Sequence, residues 1–454
     1  MKPDTILVRQ GDILQNKGLY EEAAECYIRA IAMDSSHVHA YVRLGCVWLH
    51  QNKFNDVAVI YRKALTFDRL EPAELQQIAC FIKTSARFEV LHDELHAQLV
   101  DAFIDRVLSK VVLGLGANTH EMAAVWDFRS QPYSIGDVIL LYQVVNFLSF
   151  VRGIPHVKML LIADPLEPAR QSFVKLGVNA ENYLDHIIKL LPVFMLGEKV
   201  TSLAIERSEE VALKEIADQS AVVWPPAELV VSGIDLNNLS FKLLNMLYEK
   251  YSVMPDLEIR KSLSQWAADF IIQKGEGRIA IAVQIRNTHS YNLSRNSNMA
   301  AWLELFEYSE KSLPVTFFVI CAASEIDDRL RSRKNVVVAK DYRTTVDQDM
   351  ALVKECSAFL GVSSGPGTIA FFGRKPYSIV NAHIMEGMLP HLKKEEWGYS
   401  FVYATENQRI IASGTEHFEL LVKELEMLVA GASIDCKSNN SGAFGNYMSE
   451  LRLD

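Results

Sequence analysis

The sequence predicts an α/β protein with an all-α arm at its N-terminus, and three observations carry that reading. Gly11, Tyr27 and Ala30 recur as Gly45, Tyr61 and Ala64, a self-similarity of 34 positions within the first seventy residues, and a period of this length marks stacked helical hairpins. From about residue 111 onward, short apolar runs alternate with amphipathic stretches, the pattern of parallel strands joined by helices. The alternation occurs in two successive blocks, and 454 residues exceed what one hydrophobic core organises. The expected organisation is helical repeats over 1–70, a helical connector over 71–110, and a first doubly wound domain over 111–255. A second doubly wound domain follows over 256–430, then a flexible tail over 431–454 that is rich in Ser, Asn and Gly.

Composition narrows the function. Apolar residues make up 49% and charged residues 22%, the balance of a globular protein. A net charge of −10 without a block of Lys or Arg argues against nucleic acid as a partner. The six cysteines are scattered without a C-x-x-C pair. That distribution fits free thiols in a reducing cytoplasm and points to neither a zinc site nor a disulfide framework. The first twelve residues, MKPDTILVRQGD, contain no long apolar run, so no signal peptide is expected. The greasy stretch from Val138 to Val151 is interrupted by Gln143 and Asn146 and is too short to span a bilayer. Peripheral attachment to a membrane surface stays open.

In the repeats, the small residue lets two helices approach, while the Tyr and Ala pack the second helix onto the first. Tyr41, Leu44 and Trp48 occupy matching places in the second repeat. The segment resembles two tetratricopeptide repeats. Two such units are marginal alone, so the helical stretch from Pro72 to Lys110 is expected to cover them. A partner-binding or self-associating arm is one reading, and a helical cap on the α/β body is the other.

In the first α/β block, strands are expected from Met122 to Phe128, from Lys158 to Ala163 and over 221–224. A long helix opens at Ile135-Gly136-Asp137, a short one is expected over 170–176, and a third runs from Tyr183 to Met195, interrupted at Pro192. Gly136 would let a substrate approach the backbone. Asp137 is either a general base or a first-turn carboxylate favoured by the helix dipole.

In the second block, Arg278 to Ile285 reads as a strand that ends in a polar loop containing Arg286, Asn287, His289, Arg295 and Asn296. Further strands are expected over Val315–Cys321 and Asn335–Ala339, with a charged helix between them from Glu325 to Arg331. Lys340 and Tyr342 close the third strand. Ala358 to Val362 is another apolar run, followed by Ser363-Ser364-Gly365-Pro366-Gly367-Thr368 and a short apolar helix stopped at Gly373. Such a turn either serves only to reverse the chain or presents N–H groups to an anion at a helix start. Two arginines at a sister strand end favour a diphosphate site over surface ion pairing, because arginine makes bidentate contacts to phosphate.

At these residues a family resemblance appears. Gln284-Ile285-Arg286, Ser294-Arg295-Asn296-Ser297 and the segment from Asp349 to Asn381 resemble bacterial glycosyltransferases often fused to tetratricopeptide repeats. The matching positions in the last segment are Asp349, Leu352, Cys356, Phe359, Ser364, Gly365, Phe372, Arg374, Pro376, Val380 and Asn381. Gln284 stands where the family has His, and Ser294 where it has Tyr. A more distant likeness is to α-1,6-fucosyltransferases, and Ile135-Gly136-Asp137 is similar to the first helix of heptosyltransferases.

The resemblance implies a GT-B architecture of two Rossmann-like domains and a transferase of bacterial glycan biosynthesis. Its donor would be a nucleotide-diphospho-sugar, its acceptor a glycan, lipid-linked glycan or protein, and it would need no metal or other cofactor. The implied catalytic set is Arg286, with Asp137 or His289 as base. Arg295, Asn287, Asn296, Lys340, Tyr342, Ser363, Ser364, Gly365, Gly367, Thr368 and Gly136 would contact substrate. Two rivals stand beside this reading: a non-catalytic scaffold whose α/β body holds a nucleotide, and a sugar-nucleotide epimerase.

Overall fold

The computed structural model describes residues 2–114, 120–164, 177–218, 222–289, 293–362, 365–382, 386–412 and 416–438. Ser363, Ser364 and the short helix expected over 170–176 lie outside them. The described residues among 1–131, 158–167 and 204–235 form one compact unit, and those among 132–157, 168–203 and 236–454 form the other.

The N-terminal arm consists of α1 (Pro3–Asn16), α2 (Tyr20–Met33), α3 (Val38–His50), α4 (Phe54–Leu65), α5 (Pro72–Phe88) and α6 (Asp93–Leu113). The 34-residue echo has a direct structural cause. A Cβ on Gly11 would lie 2.6 Å from Cε1 of Tyr27, and a Cβ on Gly45 would strike the ring of Tyr61 in the same way. Both rings are fully buried. Each glycine is therefore the seat of the tyrosine 16 positions later, and the hairpin closes because no side chain intervenes. Leu7, Tyr27, Ala30, Ala40 and Leu44 share one cluster, so the two hairpins stack on each other. Pro72 in the first turn of α5 and a reciprocal Glu71–Glu74 capping box start the connector where the sequence suggests.

The first sheet contains β1 (Glu121–Asp127), β2 (His156–Ile162), β3 (Val200–Glu206) and β4 (Val222–Trp224) in the order β3-β2-β1-β4. β1 and β4 are parallel, pairing Met122 with Val222 and Ala124 with Trp224. The Val157 N–H donates to Lys199 O and the Ala163 N–H to Glu206 O, an advance along both strands that makes β2 and β3 parallel as well. β3 is absent from the sequence expectation. It is an edge strand whose residues after Val200 are exposed or half-buried, so it lacks an apolar run to betray it. Among the described residues, five helices lie along this stretch: α7 (Ile135–Arg152), α8 (Tyr183–Phe194), α9 (Glu209–Asp218), α10 (Ala227–Ser232) and α11 (Leu236–Tyr251). α8 continues through Pro192 to its end at Phe194 instead of breaking there.

α7 has the length and apolarity of a membrane span, but most of it is buried in protein. Its two polar interruptions are satisfied inside the fold: Gln143 Nε2 donates to Pro255 O at 2.8 Å and Asn146 Nδ2 to Asp256 O at 2.9 Å.

The second sheet follows α12 (Lys261–Lys274). It comprises β5 (Ile279–Gln284), β6 (Val315–Ile320), β7 (Val336–Val338), β8 (Ala358–Val362), β9 (Tyr377–Ala382), β10 (Leu392–Glu395), β11 (Gly398–Phe401) and β12 (Gln408–Ala412). Their order is β10-β11-β12-β9-β8-β5-β6-β7, parallel from β12 through β7, with β10 and β11 antiparallel at one edge. Helices α13 (Met299–Ser312), α14 (Val346–Glu355) and α15 (Phe418–Ser438) accompany it. Trp302 and Phe306 of α13 pack with Phe317 of β6 in its core.

Three expectations need correction here. The charged helix expected from Glu325 to Arg331 is instead two 3-10 turns, Ala323–Glu325 and Asp328–Ser332. The helix after the glycine turn is a 3-10 helix, Gly365–Phe372, and it includes the glycines of the turn itself. The last helix runs to Ser438, beyond the start expected for a flexible tail.

Candidate functional site

The second sheet is built outward from β5. The chain moves from β5 to β6 and β7 on one side, then returns so that β8 pairs with β5 on the other. The boundary between β5 and β8 is thus a topological switch point. Loops leaving the carboxyl ends of the two strands diverge there and open a crevice that binds ligands in open α/β sheets. Those are the two loops that the sequence singles out. Gln284 pairs with Gly361 across the boundary, and a Cβ on Gly361 would lie 2.7 Å from that of Gln284, so the glycine allows the two strand ends to meet.

The loop after β5 is pinned at its base. The Arg286 N–H donates to Ser297 Oγ at 3.1 Å, and the Ser297 N–H returns to Arg286 O at 2.8 Å. One step further out, Asn296 Oδ1 accepts from the Thr288 N–H at 3.1 Å while its Nδ2 donates to Thr288 O at 2.8 Å. The Asn287 N–H reaches Glu325 Oε2 at 3.4 Å. Arg286 and Arg295 are brought to the two ends of this one loop, both half-buried, and Arg295 closes a 3-10 turn, Leu293–Arg295. His289 is exposed. Asn296 therefore serves as a clasp of the loop through both side-chain ends, a role its residue type did not reveal.

The turn after β8 is described from Gly365 onward; Ser363 and Ser364 lie outside the described residues. Gly367 is buried under the ring of Phe359, whose Cζ would lie 2.7 Å from an added Cβ. Gly365 abuts Ile135: an added Cβ would lie 2.9 Å from the Cβ of Ile135. Gly136 in turn faces Thr368, whose Oγ1 would be 3.0 Å from a Cβ. The start of α7 and the glycine turn are thus one assembly. The neighbour that Gly136 admits is the Thr368 side chain. Asp137, one residue on, accepts a hydrogen bond from Asn237 Nδ2 on α11.

Lys340 and Tyr342 have positions of a different kind. Lys340 Nζ is 2.6 Å from Asp349 Oδ2 and also donates to Thr344 O at 2.6 Å, with Asp349 almost wholly buried. Burial pushes the Asp349 carboxyl above its usual range, and Lys340 and Thr344 pull it back only in part. The ammonium expected at a nucleotide edge is held by this internal pair. The Tyr342 ring meets Phe270 edge-on at 5.2 Å and lies 4.5 Å beneath Lys274 Nζ, against α12.

Sequence reasoning missed the group beneath the arginine loop. Glu416, which is buried, accepts from the Asn298 N–H at 2.8 Å and from Trp302 Nε1. An isolated Glu, 118 positions from Asn298, carries no sequence signal for this contact. Gln284, where the resembled family has His, is 3% exposed, and its Oε1 has no hydrogen-bond partner among the described residues. Among the described residues there is no cluster of three or more His, Cys, Asp or Glu side chains arranged to hold a metal ion.

Compared with known proteins, the chain matches no family model and no curated protein. Among solved structures it is similar to a family 9 glycosyl transferase from Veillonella parvula, at 11% identity and a TM-score of 0.41, covering 70% of this chain and 96% of that one. It is also similar to ADP-heptose LPS heptosyltransferase II from E. coli, at 12% identity and a TM-score of 0.39, covering 70% and 99%. An O-GlcNAc transferase from Thermobaculum terrenum aligns over 99% of this chain and 97% of its own, at 11% identity and a TM-score of 0.29.

Proposed function

We propose that this protein is a glycosyltransferase that uses a nucleotide-diphospho-sugar. One observation carries the reading: an arginine-bearing loop and a small-residue turn leave adjacent parallel strands, β5 and β8, at the switch point of the second sheet. A diphosphate suits that crevice, because guanidinium groups and backbone N–H groups both favour anionic oxygen.

In the proposed reaction, the bond between the sugar's anomeric carbon and the β-phosphate oxygen breaks as the acceptor's oxygen bonds to that carbon. The electron pair leaves with the nucleoside diphosphate, and the acceptor's proton passes to a base. Arg286 and Arg295 stabilise the charge that develops on the leaving diphosphate, which is the main catalytic contribution. Arg286 would be the first residue to test. Asp137, at the α7 start beside the glycine turn, is the proposed base, and Asn237 fixes its carboxylate. His289, on the same loop as Arg286, is the alternative base. Asn287 faces sugar or ribose in this scheme, while Gly365, Gly367 and Thr368 shape the wall of the diphosphate site. Transfer would need no metal, and a glycan, lipid-linked glycan or protein would serve as acceptor. The N-terminal hairpins would act as a tetratricopeptide-like arm for a protein partner or a second copy.

The test is a thermal-shift and calorimetric screen of the full chain against UDP-, ADP-, GDP- and CMP-linked sugars, followed by transfer assays with and without EDTA. Stabilisation by one nucleotide-diphospho-sugar, with turnover that survives EDTA, is the expected result. Binding without turnover across varied acceptors would support the scaffold instead. Gln284 favours that second reading, since an amide at the strand end cannot carry a proton as an imidazole does.

A further inference from the structure

Gln284 is buried, yet its amide is almost without hydrogen bonds. Nε2 has one contact, to Ile285 O at 3.5 Å, the outer limit of a hydrogen bond. Oε1 has no partner among the described residues. Buried polar groups are paired as a rule, because an unpaired one gives up its bonds to water for nothing. The fold does not call for an amide here: the residues opposite Gln284 on the two flanking strands are Ile320 of β6 and Gly361 of β8.

The placement of the amide gives it a use. Side chains alternate across a strand. Ile281, Val283 and Ile285 join the core that holds Trp302 and Phe306, so Gln284 stands on the opposite face of the sheet. On β8, Ala358, Leu360 and Val362 join that same core, so Phe359 and Gly361 share the face of Gln284. The glycine turn packs on this face, since Gly367 abuts the Phe359 ring. Gln284 is the last residue of β5, and its neighbour across the strand boundary, Gly361, has no side chain. The unpaired amide therefore sits at the switch point, on the side of the sheet that carries the turn.

Its chemistry selects the group it would meet. Oε1 only accepts and Nε2 only donates. A diphosphate offers oxygens that accept, which would leave Oε1 unpaired. A hydroxyl donates and accepts, so it can serve either end of the amide. A site that keeps a buried polar group for a ligand hydroxyl also rejects ligands that lack it.

We propose that Gln284 is a specificity-determining residue whose amide bonds to a hydroxyl of the nucleotide-sugar bound where β5 meets β8. The inference rests on the glycosyltransferase reading for the identity of the ligand. Gln284 would hold that hydroxyl without moving a proton.

The experiment reads stability and binding together in the full-length chain. Gln284→Met keeps the size of the side chain and removes the amide; Gln284→Leu serves beside it. Without ligand, Gln284→Met should melt at or above the wild type, by up to about 2 °C, because removing an unpaired polar group is neutral to stabilising. The probes are UDP-, ADP- and GDP-linked sugars, the parent diphosphates, and their 2′-deoxy and 3′-deoxy forms. Affinity should fall by about three- to tenfold, the scale of one neutral hydrogen bond. A fall seen with a parent diphosphate and absent with one of its deoxy forms assigns the hydroxyl to the ribose. A fall confined to the nucleotide-sugars assigns it to the sugar.

Lower melting in both variants means that the amide is satisfied within the protein, and overturns the proposal. So does unchanged affinity for every probe that the wild type binds, which would leave the glycosyltransferase reading standing. An equal fall with all probes, deoxy forms included, also overturns it, since no hydroxyl is then involved. A wild type that binds none of the probes removes the glycosyltransferase reading and this assignment with it.

Discussion

Gly136 and Thr368 stand so close that a β-carbon on the glycine would lie 3.0 Å from the threonine hydroxyl. This contact joins the first turn of a long buried helix to the glycine turn of a sheet whose strands begin more than 140 residues later. Its companion is tighter: a methyl group on Gly365 would meet the Cβ of Ile135, a branched carbon fixed to the helix backbone. Gly365→Ala is expected to destabilise the protein by about 1–3 kcal/mol through overpacking and to weaken nucleoside diphosphate binding. Gly136→Ala should have a smaller effect, since a threonine hydroxyl can swing aside. Melting curves and calorimetry on both variants check the order; equal, negligible effects would remove the turn from the site.

Arg286→Ala and Arg295→Ala should each lower affinity for the nucleoside diphosphate by about tenfold or more, since a hydrogen bond to a charged group contributes roughly 1.5–3 kcal/mol. Arg286→Lys should recover only part, because an ammonium cannot make the paired contacts of a guanidinium. The salt dependence of binding should also weaken in both alanine variants. Wild-type affinity in Arg286→Ala would remove the central assignment.

Lys340 separates the sequence reading from the geometric one. If it contacted the nucleotide, Lys340→Met would weaken binding. As the partner of buried Asp349, it should instead lower stability by about 3–5 kcal/mol, the penalty for leaving a buried charge unpaired. Nucleotide affinity measured well below the melting temperature should stay within about twofold of wild type, a difference under 0.5 kcal/mol.

In the first unit, Arg129 grips Asp127 with Nε at 2.9 Å and Nη2 at 2.7 Å, and its Nη2 also reaches Glu209 at 2.7 Å. Lys83 of the helical connector joins the same Glu209 at 2.9 Å. Burial alone would raise the Glu209 carboxyl, but hydrogen bonds from Lys83 and Arg129 outweigh it and its pKa is lowered. The sign follows from linkage: the contribution of Glu209 is fully present above its unfolded pKa of 4.5 and is lost as pH falls through the lower folded value. Glu209→Gln should therefore flatten the acid limb of the stability curve. Arg129→Met, which leaves Asp127 buried without its partner, should cost about 3–5 kcal/mol at neutral pH. Denaturant melts from pH 3 to 7 check both.

Gly45→Ala tests the repeat. The added methyl would strike the buried ring of Tyr61, so a loss of about 1–3 kcal/mol is expected. Gly45→Ala combined with Tyr61→Leu should recover part of it, since the shorter side chain gives up the space. Full additivity of the two in thermal melts would mean that the glycine serves some other end.

The sequence by itself determined the repeats, the two parallel sheets and which loops carry cations and small residues. Each of these is written in local terms: a period of 34, apolar runs separated by helical stretches, glycines beside a proline. β3 escaped because an exposed edge strand has no apolar run. The 3-10 turns around Glu325 and Asp328 escaped because charged residues read alike in a short helix and a turn. Only the tertiary structure decided what these loops do to one another. It set β5 beside β8, so that two loops far apart in the sequence share one switch point. It seated the glycine turn on Ile135 and Gly136, tied Lys340 to Asp349, and put Glu416 beneath the arginine loop. These contacts depend on which strands pair and on where a carboxylate can be buried among donors. Both are settled by the packing of distant segments, and no single stretch of chain encodes them.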